Sequence, residues 1–529
     1  MQHGYKVFIA ISLVLVMGCT RRPTDHIKGE KMRGFMIDAP RATESLDYYF
    51  RLIDFCKKEQ MNTIIFRLTD DQGSAYLFTS HPELNMREGA FSAAELKKLI
   101  DYAQKAGIQM IPEIESFGHS RYITHTKRYR FLNDSAAGNE YNALCPVSDS
   151  TLKLMKDLYT EIAAIFPSPY FHIGCDEVNW GGSELSKNAL KTRSRNQIWA
   201  DYVNTLNGYI RSLGKKTIIW GDVPFYVEKD VLDLLGKDLV IMDWNYSETN
   251  KTKVDSIAQS ALKRGFSMIG CPGVSWCRWG TRVGRQQFEN INAYAEVYCN
   301  LDDPDNLGII LSNWVPKRYL QNSQWDTYTI AAEILKSKGG YHYMDAIPAF
   351  VKDHFGTTYD AGWEKIFTTV YEKTPTFLCG DQDSLEFQAW SSEAQIKNII
   401  ARNEPLQNPF GETAKLLSAY KDSVKLNLGD FEDFMLTVEF MDYCYNRQNE
   451  MSAFARSGNI NLKSAESFIR KTAQADQDQL AKINLAWSKG RRCKPDRTDE
   501  NFMWAFNRAA NYSKQLGENP ARLLKILGK

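Results

Sequence analysis

Net charge is the first thing this chain lacks. Its 65 Lys and Arg offset 64 Asp and Glu and leave +1 over 529 residues, so nothing points to a nucleic-acid partner or an acidic tail. Its ten cysteines contain no Cys-x-x-Cys pair and no regular spacing, which removes the usual signatures of a zinc site and of a disulfide framework. Cys56, Cys175 and Cys299 lie in apolar or helical contexts and read as small buried hydrophobes. Cys271 and Cys277 are close enough in sequence to bridge, and the sequence leaves that open. No Gly-x-Gly-x-x-Gly follows the first strand, which argues against a dinucleotide site. There is no internal repeat. What the chain does have is length for two or three domains and many aromatics, 12 Trp among them. Such rings fill cores or stack on the apolar faces of sugars and bases.

The N-terminus carries Lys6, then the apolar run Val7–Met17, too short for a comfortable membrane span. Val16-Met17-Gly18-Cys19 resembles a bacterial lipobox. That resemblance implies a signal peptide over 1–18, cleavage before Cys19 and lipidation of Cys19. Residues 19–32 would then be a lipidated cysteine and tether. The protein would be exported and lipid-anchored to a bacterial membrane, in the outer membrane or periplasm. The alternative is an ordinary secretory signal with an incidental cysteine.

From Arg33 onward short apolar runs alternate with helical patterns. The strands read as Gly34–Ile37, Asn62–Leu68, Ile108–Ile114, the stretch Tyr170–Val178, Lys216–Trp220, Leu239–Trp244, Phe266–Gly270 and Leu307–Trp314. Helices are expected between them; Ser92 with Glu95 forms a capping-box pattern for one. Continuous apolar runs suit parallel strands buried on both faces. Eight strands alternating with eight helical segments over roughly 310 residues predict a (β/α)8 TIM barrel over 33–340; an open doubly wound sheet is the alternative. Residues 341–529 read as an all-helical C-terminal domain without an obvious catalytic constellation, its last helix running over Phe502–Leu527.

The chain is organised around Tyr170–Val178, YFHIGCDEV, where an apolar strand ends in Asp176 and Glu177. Acids are poor strand residues and are seldom buried without partners. In a barrel the reactive residues gather at the C-terminal ends of the strands. Those ends carry Asp38 and Arg41, with Arg33 at the start of strand one; then Asp70 and Asp71; Glu113, Glu115 and His119; Asp176 and Glu177. Trp220 and Asp222 follow, then Asp243, Trp244 and Tyr246, then Trp276 and Trp279, and finally Asn313 and Trp314. Acids hold one side of the rim and tryptophans the other. That suits a carbohydrate, whose hydroxyls need hydrogen bonds and whose C–H faces need stacking.

Over about Arg33–Trp325 the chain resembles glycoside hydrolase family 20, the β-N-acetylhexosaminidases. RGFMIDAPR is similar to the family's first strand, FRLTDDQG to its second and IPEIESFGHS to its third. HIGCDE is similar to the catalytic His-x-Gly-x-Asp-Glu, and TIIWGD and LSNW to tryptophan-bearing strand ends. The resemblance implies removal of a terminal N-acetylhexosamine from a glycan by a substrate-assisted retaining reaction, an exception to the two-carboxylate scheme. Glu177 would be general acid and then base. Asp176 would hold the acetamido N–H. Arg33 would bind sugar hydroxyls, His119 would sit in the supporting network, and Trp220, Trp244 and Trp314 would wall the acetamido pocket. His172, at the start of strand four, reads as structural. No cofactor or metal is implied.

The chain departs from that pattern at two places. The family's tyrosine after strand seven, which binds the acetamido carbonyl, is missing from GCPGVSWCRWG, leaving Tyr246 or Trp276 to replace it. Pro316 stands where the family often has a glutamate contacting the far hydroxyls. The small domain that usually precedes the family's barrel has no counterpart between Cys19 and strand one. Two further readings compete: a lipid-anchored glycan-binding protein with a decayed site, and a barrel glycosidase acting on a different sugar.

Overall fold

The apolar runs close into a barrel. In a computed structural model, which describes residues 30–85, 88–136, 142–227, 229–275, 283–314, 316–373, 390–402, 404–458, 460–493 and 502–529, eight parallel strands follow one another in chain order. They are β1 (Met32–Asp38), β2 (Thr63–Arg67), β3 (Gln109–Glu113), β4 (Tyr170–His172), β5 (Lys216–Trp220), β6 (Val240–Asp243), β7 (Ser267–Gly270) and β8 (Asn306–Asn313). Pairing of β1 with β8, from Met32 opposite Gly308 to Ile37 opposite Asn313, closes the ring. A short run, Gly273–Ser275, extends the β7 side along β8.

Side chains alternate across each strand. Met36, Ile65, Ile111, Ile218, Met242, Ile269 and Ile310 fill the barrel, while Phe35, Ile64, Phe171, Ile219 and Ile241 pack outward in the main core with the helices. Both faces are apolar, which is why the strands read as unbroken hydrophobic runs. Seven helices cover the outside: α1 (Leu46–Lys58), α2 (Ala93–Lys105), α3 (Asp149–Ile165), α4 (Arg195–Ser212), α5 (Lys251–Leu262), α6 (Arg285–Tyr298) and α7 (Trp325–Lys336). Ser92 and Glu95 cap α2 reciprocally, as their spacing predicts.

Three expectations are corrected. Between β5 and β6 the eighth helical segment is replaced, among the described residues, by a π turn (Val223–Val227) and a 3-10 turn (Lys229–Asp233). Strand four ends at His172, so Asp176 and Glu177 lie in the turn beyond it. The last helix is two, α14 (Phe502–Glu518) and α15 (Pro520–Ile526), broken at Asn519-Pro520.

The C-terminal region is helical: α8 (Ile347–Phe355), α9 (Ala361–Lys373), α10 (Glu393–Ile400), α11 (Phe410–Tyr420), α12 (Leu428–Arg456) and α13 (Leu462–Gly490) precede those two. The main apolar core runs without a break from the barrel's outer face to Phe434 and Tyr445 on α12, and Arg51 on α1 pairs with Asp430 on α12. A second core, around Ile469, Ile483 and Leu516, includes Ala42 from the loop after β1.

Candidate active site

Four residues after β4 determine where the acids point. Gly174, Cys175 and Glu177 all have left-handed backbone, with φ of 67°, 76° and 43°. This region is costly for non-glycine residues and is held only where the surroundings over-determine it. The turn is fixed from both sides. Gly174 N–H donates to His172 Nδ1 at 3.0 Å, and Trp220 N–H donates to the Gly174 carbonyl at 3.1 Å. Glu177 N–H donates to Asp222 Oδ2 at 2.8 Å. The loop after β3 presses against it: a Cβ on Gly118 would lie 2.0 Å from the Asp176 carbonyl oxygen. That contact brings His119, itself at φ 45°, over the acidic pair.

His119 joins the two halves of the acid cluster. Its Nδ1 is 3.0 Å from Asp71 Oδ2, and its Nε2 is 3.2 Å from Glu177 Oε2 and 3.5 Å from Asp176 Oδ2. Burial alone would discharge the ring, but Asp176, Asp71 and Glu177 hold it charged well above the usual histidine range. Burial likewise works against ionisation of Asp176, and His119 and then Arg67 pull its pKa below the ordinary value. Asp176 is buried, its Oδ1 without a hydrogen-bond partner among the described residues. The Glu177 side chain is 58% exposed. His119, Asp176 and Glu177 offer three ligand atoms within 4.8 Å of one another. With the ring protonated, both nitrogens donate, and His119 ties Asp71 to the Asp176–Glu177 pair.

Beneath it lies a buried ionic layer. Asp38, Arg67, Glu113 and His172 sit side by side across β1 to β4. Arg67 is fully buried and reaches Asp38 at 3.1 Å, Asp70 at 2.7 Å and Glu115 at 2.6 Å. Arg41 reaches Asp38 at 3.2 Å and Asp70 at 2.8 Å. These cations, with His119, overcome burial and hold Asp70 far below the carboxylate range. Burial dominates for Glu113, pushed up to about 8, and for Asp222, pushed up to about 7. Asp70 and Asp176 are thus favoured as the charged members of the layer, and burial works against the charge on Glu113.

The aromatic side is continuous. Trp220 is buried and donates from Nε1 to Glu113 Oε1 at 2.8 Å. It packs on Trp314 at 5.6 Å between centroids. Trp314 donates to the Tyr246 hydroxyl at 2.6 Å, and Tyr246 stacks on Trp244 at 5.1 Å. Arg41 and Arg67 lie over Trp314 at 5.3 and 5.0 Å. Acids and aromatic rings thus share one end of the barrel, with Arg41 and Arg67 between them.

A model of the glycosyl hydrolase family 20 catalytic domain matches residues 31–305. The chain belongs to glycosyl hydrolase family 20. Relatives include the beta-hexosaminidase of Vibrio furnissii, 26% identical over 278 residues, 46% of this chain and 43% of that one. The beta-hexosaminidase of Porphyromonas gingivalis is 24% identical over 215 residues, 36% of this chain and 28% of that one. The chain spans less than half the length of these curated relatives. Among solved structures, the beta-N-acetylhexosaminidase of Bacteroides fragilis aligns with a TM-score of 0.50 at 20% identity, covering 61% of this chain and 70% of that one. The chitobiase of Flavobacterium johnsoniae aligns at 0.50 and 16%, covering 83% and 74%. The fold is shared with both.

Within this family 20 barrel, Asp176, Glu177, His119, Trp220, Trp244, Tyr246 and Trp314 come together at one rim. Arg33 does not. It sits near the start of β1, at the opposite end, 3.9 Å from Glu30 and beside Cys299 and Lys338. A strand rises about 3.3 Å per residue, so Arg33 is about 17 Å below Asp38. Arg41 is the arginine at the rim. Trp276, Trp279, Cys277 and Cys19 lie outside the described residues. The seven described cysteines, Cys271 among them, are unbridged. His172 is structural: fully buried, pushed down to about 3 by burial, and used as an acceptor by Gly174. Arg67 was missed, although an ionisable residue inside the run NTIIFRL was a signal in itself.

Proposed function

We propose that this rim removes a terminal N-acetylhexosamine from glycans by a retaining, substrate-assisted reaction. One observation carries the reading. Asp176 is a buried carboxylate, held ionised by His119, with one oxygen unpartnered among the described residues, beside an exposed Glu177 and at the same rim as the aromatic cluster. A buried anion with a spare acceptor suits a group that is an N–H donor at first and cationic at the summit of the reaction.

In that reaction the Glu177 carboxyl gives its proton to the glycosidic oxygen as the C1–O bond breaks. The acetamido oxygen bonds to C1, and the Asp176 carboxylate accepts the N–H and stabilises the oxazolinium cation. Water then attacks C1, the Glu177 carboxylate takes its proton, and the acetamide re-forms with the anomeric configuration retained. The Asp176 and Glu177 oxygens lie within 4.8 Å of each other, so one bound sugar can meet both, Asp176 at the acetamido group and Glu177 at the glycosidic oxygen. Trp220, Trp244, Trp314 and Tyr246 shield the ring closure from water, and Arg41 presents N–H groups to the sugar hydroxyls. Curated relatives named beta-hexosaminidase support the same substrate class. Hydrolysis of chromogenic N-acetyl-β-glucosaminide and N-acetyl-β-galactosaminide tests it. Turnover of either is expected, and binding without turnover would return the glycan-binding alternative.

The lipobox supports export and a lipid anchor on Cys19, with the glycan met at a bacterial membrane. No helix of the described residues is long and apolar enough to cross a membrane. Wild type should partition with membranes and Cys19→Ala should not; a wild type recovered fully soluble without lipid would overturn the anchor.

A further inference from the structure

One side chain of the helical region, Arg491, bridges the two turns beside the rim. At the end of α13, residues Gly490–Cys493 run antiparallel to Thr43–Ser45, the segment that follows Arg41. Ser45 N–H donates to the Gly490 carbonyl at 2.8 Å and Arg492 N–H to the Thr43 carbonyl at 2.9 Å. Arg491 is buried between this segment and the turn after β8. Its Nε meets Glu44 Oε1 at 2.8 Å, and its Nη2 donates to the carbonyls of Pro316 and Tyr319, each at 2.7 Å. Its guanidinium stacks on Trp487 of α13 at 3.6 Å. Tyr319 in turn donates to the Trp314 carbonyl at 3.0 Å.

The two segments that Arg491 joins end in the two groups that meet at the rim: Arg41 follows β1, Trp314 follows β8, and the first lies over the second at 5.3 Å. Arg491 is the side chain that bonds both to Glu44 and to the carbonyls of Pro316 and Tyr319. The rigid fork reaches the carboxylate from Nε and the two carbonyls from Nη2, whereas a lysine would have to reach all three from a single nitrogen. We propose that Arg491 is a positioning residue for sugar binding, fixing Arg41 over Trp314, so that the helical region completes the site from outside the barrel. The inference rests on the reading of the rim as an N-acetylhexosamine site.

The test measures KM, kcat and thermal midpoint of the full chain on p-nitrophenyl N-acetyl-β-glucosaminide and its galactosaminide counterpart. Arg491→Ala should raise KM about tenfold, equivalent to about 1.4 kcal/mol, with kcat changed much less. Arg491→Lys keeps the pairing with Glu44 and most of the volume, so it folds even if the alanine variant does not, and it should still raise KM severalfold. Glu44→Gln retains an acceptor for Nε and should leave KM near wild type. A structural role alone would lower the midpoint or the yield and leave KM of the folded enzyme unchanged; that result in Arg491→Lys overturns the proposal. A wild type inactive on both glycosides instead overturns the sugar-site reading, and the proposal falls with it.

Discussion

Replacing Gly118 by alanine tests whether the approach of the loops after β3 and β4 builds the site. The new Cβ would stand 2.0 Å from the Asp176 carbonyl oxygen, whereas real Cβ contacts essentially never fall below 3.0 Å. One loop must retreat by about 1 Å, the difference of those values, and both partners are backbone. His119 is the next residue and Asp176 the other party, so the displacement falls on the network that holds Asp176 ionised. Misplacing a catalytic group by about 1 Å can cost about 10²-fold, and overpacking typically costs about 1–3 kcal/mol of stability. Gly118→Ala should therefore lower kcat about 100-fold in the folded enzyme, by steady-state hydrolysis of the chromogenic glycoside, and lower the thermal midpoint. Gly208→Ala, inside α4 with nothing within 4 Å of the added carbon, is the matched control. It should leave kcat unchanged and stabilise the fold by up to about 1 kcal/mol. Wild-type kcat in Gly118→Ala would refute the argument that this contact positions the dyad.

Glu177→Gln keeps the shape but not the proton, and should cost roughly 10²–10⁴-fold on substrates with poor leaving groups; activated aryl glycosides should suffer less, and near-wild-type rates on a natural disaccharide would exclude Glu177 as the acid. Arg33→Ala should leave KM within about twofold, since surface changes remote from a site are worth about 0.5 kcal/mol or less; a large rise in KM would restore Arg33 to the site. Asp243 is buried, bonded by Tyr226 and Tyr298 and pushed up by burial to about 7. Between its ordinary value of 3.8 and about 7 the unfolded chain binds fewer protons there than the fold does. Stability from this group therefore falls as pH rises through that window, by at most about 1.4 kcal/mol per pH unit. Denaturant unfolding should show Asp243→Asn gaining on wild type from pH 4 to 7 and then levelling; parallel curves would contradict the burial argument.

The barrel was legible because its strands are apolar on both faces and its helices carry caps such as Ser92 with Glu95. The acids of HIGCDE were legible as a strand end, but not the left-handed turn that aims them, since Cys175 and Glu177 are not residue types that announce such backbone. RGFMIDAPR contains an arginine at each end, and only the polarity of the barrel separates Arg33, at the opposite end, from Arg41 at the rim. Arg67 hid in an apolar run whose other members are true core. The role of Arg491 had no local signal, because its partner Glu44 lies 447 residues away in sequence and only the packing of the helical region against the barrel brings them together.

The most direct measurement of the central claim is inhibition by a thiazoline analogue of the oxazolinium ion. If the acetamido group is the nucleophile, the analogue should compete with substrate and bind at least about 10²-fold more tightly than the product sugar, as mimics of high-energy states do. Asp176→Asn should weaken it markedly by removing the charge opposite the ring nitrogen. If the thiazoline does not inhibit, and a glycoside lacking the acetamido group is hydrolysed as fast as one that carries it, substrate assistance is contradicted.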